Sequence, residues 1–113
     1  MAAMVYFDHD TAMTYCGDED MWKTILEVYV EEGKEYLKKI PEAAKAKDYH
    51  NYQIMAHAIK STSLNVGAVA VNAETKLQEF FCKDGKYEEV DAGWEKFMED
   101  FSQVLDAAKE ILA

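Results

Sequence analysis

The sequence predicts an all-α fold, an antiparallel up-and-down four-helix bundle with a short extra N-terminal helix. Three observations carry this. Apolar residues recur at three- and four-residue steps through four long segments. The 113 residues hold one proline and five glycines, while the strong helix formers Ala, Glu, Lys, Leu and Met are plentiful. No segment alternates apolar and polar residues as a half-buried strand would.

Asp8 is placed to cap a short first helix running to about Tyr15 and ended by Gly17, which would cover one end of the bundle. Asp18 caps a second helix on which Met21, Ile25, Val28, Tyr29, Glu32, Tyr36 and Ile40 form a stripe. Pro41 lacks the amide the ladder needs, which predicts a kink or break near Ile40 and a further turn or two through Lys47. Asp48 caps a third helix, over about 49–66, that Gly67 ends. The fourth carries Ala70, Ala73, Leu77, Phe80 and Phe81 on one stripe and stops at "KDGK". The last is the most regular, with Val90, Trp94, Phe97, Phe101, Val104, Leu105, Ala108 and Ile111 spaced as a core face. Short connections make neighbours antiparallel. With no linker, repeat or low-complexity tract, residues 1–113 read as a single domain.

Composition narrows the function. Twenty-two acidic residues against twelve basic ones leave a net charge of −10. Nucleic-acid binding needs a basic stripe, and an anionic membrane surface attracts cations, so neither partner is expected. The plain reading of the acidity is solubility. Cys16 and Cys82 show no metal-binding spacing, and the start "MAAMVYFDHD" has no secretory character. No apolar run spans a bilayer, so a cytoplasmic protein with free thiols is expected. No metal site is expected either: His50 and His57 lie seven residues apart, about 10 Å along a helix, and no Glu-x-x-His pair accompanies them. His9 has no companion ligands and reads as a surface residue.

The third helix holds the chemistry. At about 100° per residue, Tyr52, Met55, Ile59, Thr62, Ser63 and Val66 share one stripe and His57 falls on the opposite pole. Gln53, Ile54, Lys60, Ser61 and Leu64 surround it. Lys60, one turn on, places an ammonium where it pairs with an anion carried on the imidazole. Ser61 is short enough to leave room above the ring and to donate a hydrogen bond, and Leu64 adds apolar surface of a kind that suits docking. A neutral imidazole near pH 7 is a competent nucleophile, and the adjacent cation suits it to a phosphoryl group.

The string "AHAIKSTSLNVGA", Ala56 to Ala68, resembles the signature of histidine-containing phosphotransfer (HPt) domains. Ala56, His57, Ile59, Lys60, Ser63, Val66, Gly67 and Ala68 fall on its positions. The acidic helix start and long amphipathic helix upstream are similar as well, from about Phe7 to Asp84. Ser61 stands where glycine is most common in the family, and "VNAETKLQEFF" departs from its leucine spacing.

The resemblance implies a relay in two-component signalling. His57 would accept a phosphoryl group from the aspartate of a response-regulator receiver domain, or from a hybrid sensor histidine kinase, and pass it to another receiver. Lys60 and Ser61 would stabilise the phosphate. Gly67 would end the helix and permit close approach, and Gln53, Ile54 and Leu64 would dock the receiver. The chain would hold no cofactor, its Mg²⁺ belonging to the receiver, and would act as a monomeric carrier rather than an enzyme, either free-standing or as one module of a larger histidine kinase. Three alternatives compete: an autonomous kinase, for which no phosphate-cradling glycine loop is present; a metal-binding bundle; and an interaction module of the same fold that carries no phosphate.

Overall fold

The computed structural model describes residues 2–113, in which all regular structure is helical. A short 3₁₀ turn, Ala2–Tyr6, precedes α1 (His9–Cys16), α2 (Glu19–Lys45), α3 (Tyr49–Asn65), α4 (Val69–Lys83) and α5 (Tyr87–Leu112). Residues 46–48, 66–68 and 84–86 connect the four long helices, three residues each time. Connections that short reverse the chain and leave neighbours antiparallel. α3 packs against α2 and α4, and α5 against the same two, closing a ring of four. α1 lies on α2 and α3, and the N-terminal turn lies on α5.

Local chemistry sets the helix starts. The Asp18 carboxylate accepts the Met21 amide at 2.8 Å, and that of Asp48 accepts the Asn51 amide at 3.2 Å. Asp8 differs from the expectation. Its carboxylate takes the Thr11 hydroxyl at 2.7 Å rather than a backbone amide, while its own amide donates to the Gly67 carbonyl at 2.8 Å. That second bond ties the start of α1 to the α3–α4 connection. Gly67 sits there with a φ of 83°, and a Cβ would stand 2.6 Å from the Asp8 carbonyl oxygen, so no other residue fits.

Three further expectations are corrected. The break near Ile40 does not occur: α2 is helical without interruption through Pro41 to Lys45. Buried Ile40, Ala43 and Ala44 hold the last turns in place despite the missing amide. The core stripe of α2 is also rotated. Trp22, Leu26, Tyr29, Val30, Gly33 and Ile40 are buried, whereas Met21, Val28 and Glu32 face outward. Two contacts select that rotation. The Trp22 indole N–H donates to the Val66 carbonyl at 2.9 Å, and Gly33 admits Leu105 so closely that a Cβ would meet its Cδ1 at 2.5 Å.

The larger correction falls on α4. Val71, Thr75, Gln78, Glu79 and Cys82 point inward, while Ala70, Ala73, Leu77 and Phe80 are exposed and Phe81 is half-buried. Each inward polar group is satisfied. Gln78 accepts the Tyr52 hydroxyl at 2.7 Å, and Thr75 donates to the Val71 carbonyl at 2.6 Å. α5 follows the expected stripe, with Val90, Phe97, Phe101, Val104, Leu105 and Ala108 buried and Trp94 and Ile111 at its margin.

Candidate functional site

α3 buries Tyr52, Ala56, Ile59 and Ser63 completely, and this fixes the direction of the opposite pole. Ser63 is held from inside by the Tyr29 hydroxyl at 2.7 Å. His57 therefore projects from the bundle, its side chain 59% exposed. One half of the imidazole is nevertheless engaged. Its Nδ1 lies 2.5 Å from Oε2 of Glu79 on α4, whose side chain is only 5% exposed. The other carboxylate oxygen takes Lys60 Nζ at 2.6 Å, and Lys83 Nζ approaches Oε2 at 3.7 Å.

Burial pushes the Glu79 carboxyl up, but the hydrogen bonds from Lys60 and His57 and their charges outweigh it and hold it below the usual range. Glu79 is thus ionised, and an ionised carboxylate only accepts. The imidazole proton is assigned to Nδ1 on that ground, which leaves the Nε2 lone pair toward solvent. An exposed ring nitrogen with its partner nitrogen anchored is a positioned nucleophile.

The remaining residues divide around this centre. Gln53 and Ile54 line a shallow depression with His57, Glu79 and Lys83. Lys60, Ser61 and Leu64 line a second with Asn72 and Lys76. The Asn72 amide donates to the Lys60 carbonyl at 2.8 Å, tying α4 to α3 beside the site. Leu64, expected exposed, is half-buried, while Ile54 is the open apolar residue at 54% exposure. The Ser61 hydroxyl turns back to the His57 carbonyl at 3.4 Å and does not point at the ring. The close approach at Gly67 is internal, against Asp8 and Ala12, so this glycine shapes the α1–α3 junction. His9, read as a plain surface histidine, pairs with Glu19 and packs edge-on against Trp22.

Sequence reasoning missed Glu79, reading the acidic residues as solvated faces. A signal was present. Residues 57 and 79 are equidistant from residue 68 in the α3–α4 connection, and an antiparallel hairpin brings such positions level.

Fold and site together define a helical bundle that presents one oriented histidine beside a lysine. A family model, the Hpt domain, matches residues 24–112. The chain belongs to the Hpt domain family. It is also similar to the phosphorelay intermediate protein rdeA of Dictyostelium discoideum, 24% identical over 100 residues. That match covers 88% of this chain but spans 39% of the relative's length. No solved structure matches. No described helix is long and apolar enough to cross a membrane.

Proposed function

We propose that this chain is a phosphorelay intermediate, with His57 Nε2 as the phosphoacceptor. The observation that carries the reading is the 2.5 Å contact between His57 Nδ1 and the buried Glu79 carboxylate. The Nε2 lone pair attacks the phosphorus of an aspartyl phosphate on a receiver domain. The new N–P bond forms as the P–O bond to the aspartate breaks, and the electron pair leaves with the aspartate carboxylate. The ring keeps its Nδ1 proton and becomes cationic, and Glu79 stabilises that charge across the hydrogen bond. Transfer to a second receiver runs the same steps in reverse.

Lys60 has a second task. It neutralises Glu79 in the free chain, and the phosphoryl oxygens on Nε2 compete for its ammonium once His57 is loaded. Ser61 contributes chiefly by being small, since its hydroxyl is turned to the helix backbone. Gln53, Ile54 and Leu64 form the rim a receiver meets first. We place the chain in the cytoplasm as a monomeric carrier that holds no cofactor. The Mg²⁺ of the reaction belongs to the receiver, and a receiver or the receiver of a hybrid kinase serves as donor.

The test is transfer from a phosphorylated receiver in Mg²⁺. Acid-labile, base-stable phosphate is expected on the wild-type chain and absent from His57→Gln, a variant expected to stay folded because its side chain is largely exposed and Lys60 still pairs with Glu79. Folded wild-type protein that takes no label from any receiver refutes the reading and leaves an interaction module that carries no phosphate.

A further inference from the structure

α4 faces the bundle with its polar side. With Glu79 set at zero and about 100° per residue, Val71, Thr75, Gln78 and Cys82 fall between roughly −100° and −40°, and Val69, Ala73, Leu77 and Phe80 between roughly 80° and 160°. The two stripes lie about half a turn apart. Val69, Leu77 and Phe80 are 41%, 49% and 49% exposed, whereas Thr75, Gln78 and Glu79 are 0%, 5% and 4% exposed. Burial of carbon alone would turn the helix to bring Leu77 and Phe80 inside. Something polar holds it in the opposite orientation.

Thr75 is not that group, since its hydroxyl bonds within α4, to the Val71 carbonyl, and is satisfied at any rotation. Gln78 is anchored from outside the helix. Its Oε1 takes the hydroxyl of fully buried Tyr52 on α3 at 2.7 Å. Burial pushes that phenol up, so it stays protonated and donates. Its Nε2 lies against α5 at Gly93, where a Cβ would stand 3.3 Å away. Gln78 thus sits in the seam of three helices, and the next residue along is Glu79. The two side chains leave the helix about 100° apart, so a clamp on one aims the other. A side-chain tip about 6 Å from the helix axis moves roughly 2 Å when the helix turns by about 20°. Such a turn takes the Glu79 carboxylate away from His57 Nδ1, which it meets at 2.5 Å.

We propose that Gln78, held by the Tyr52 hydroxyl and seated in the gap at Gly93, is a positioning residue of the transfer site. It fixes the rotation of α4 at which the Glu79 carboxylate meets His57 Nδ1. The pair serves orientation rather than stability. A buried hydroxyl–amide pair is replaceable by two apolar groups of the same shape at little or no cost, so a stable core does not require it. A half-turned α4 would bury more carbon and lose the imidazole's partner. The inference rests on the reading of His57 as phosphoacceptor and of Glu79 as the group that sets its tautomer.

The test uses the full chain. The two ring nitrogens of His57 are followed by ¹⁵N NMR, and single-turnover transfer is measured from a receiver domain phosphorylated with acetyl phosphate in Mg²⁺. Tyr52→Phe/Gln78→Met removes both polar groups and nearly keeps the volume. It is expected to resist urea at least as well as Tyr52→Phe, which strands the Gln78 amide. Its His57 should nevertheless lose the single Nδ1–H tautomer. The saturating rate should fall by at least about tenfold, with the half-saturating receiver concentration unchanged. In a Glu79→Gln background the same double change should add nothing, since both act at Nδ1. A wild-type tautomer and a saturating rate within about twofold of wild type overturn the proposal. So does a loss that adds in full to that of Glu79→Gln, which marks a general loosening of the bundle. If the double variant does not fold, Tyr52→Phe decides: it removes one oxygen atom and should shift the tautomer the same way, and an unshifted ring overturns the proposal. Wild-type protein that transfers nothing overturns the phosphotransfer reading alone, because the ring nitrogens still report whether Gln78 aims Glu79.

Discussion

Replacing Glu79 by glutamine keeps the size of the side chain and removes its charge. In the native chain the carboxylate takes His57 Nδ1 at 2.5 Å and Lys60 Nζ at 2.6 Å. Bonds to charged groups are worth about 1.5–3 kcal/mol and neutral ones about 0.5–1.5 kcal/mol, so weakening both costs on the order of 2 kcal/mol. Burying an amide instead of a charge recovers part of that, and Lys60 and His57 are both open enough to regain water. The net stability loss is on the order of 1 kcal/mol, or about 4–8 °C in melting temperature. The effect on transfer is larger. A glutamine amide is able to donate to Nδ1, which moves the ring proton to Nε2 and removes the nucleophilic lone pair. A carboxylate-to-amide change that puts a working imidazole in the wrong tautomer costs up to about 10⁴-fold, and a fall of more than about tenfold is expected at saturating receiver. Rapid-quench single-turnover transfer measures it, with circular dichroism confirming the fold. A Glu79→Gln rate within about twofold of wild type refutes the claim that Glu79 sets the imidazole tautomer.

Two further predictions probe the frame around the site. Gly67→Ala forces a Cβ onto a left-handed residue and to 2.6 Å from the Asp8 carbonyl oxygen. It should destabilise the fold by about 2–4 kcal/mol in urea titration, whereas Gly17→Ala, with φ 93° but open space, should cost less. Equal losses in the two variants contradict the close approach at Gly67. The second concerns pH. Burial, with the hydrogen bond and charge of Asp100, pushes the Glu74 carboxyl up from 4.5 to about 7. Between those values the folded chain holds a proton that the unfolded chain releases. Stability from this group is therefore full below about pH 4.5 and lost as pH rises through about 7. Glu74→Gln should raise the melting temperature relative to wild type more at pH 8 than at pH 5; an equal difference at the two values contradicts the assignment.

The sequence was informative wherever a signal is local. Asp18 and Asp48 cap helices because a carboxylate two or three residues from an orphan amide needs no tertiary partner. α5 was legible because its apolar residues form one unambiguous stripe, ending in fully or nearly buried Phe97, Phe101 and Leu105. α2 was ambiguous, since Met21–Ile25–Val28 and Trp22–Leu26–Tyr29 are both helical stripes one residue apart. Contacts to Val66 and Leu105, on other helices, chose between them. α4 misled outright, because periodicity counts hydrophobic residues and cannot see that Thr75, Gln78 and Glu79 find partners inside.

The sequence by itself determined that the chain is helical, where its helices begin and turn, and that His57 and Lys60 share a face opposite the core of α3. Those are consequences of a 3.6-residue period and of capping chemistry, both of which act within a few residues. Only the tertiary structure decided what the imidazole meets. Glu79 lies 22 residues away, and it reaches Nδ1 only because a three-residue connection folds α4 back along α3 in one register. The same folding decided which side of α4 faces water, since four helices sharing one core bury whichever stripe packs and satisfies its polar groups, not the one with the most carbon.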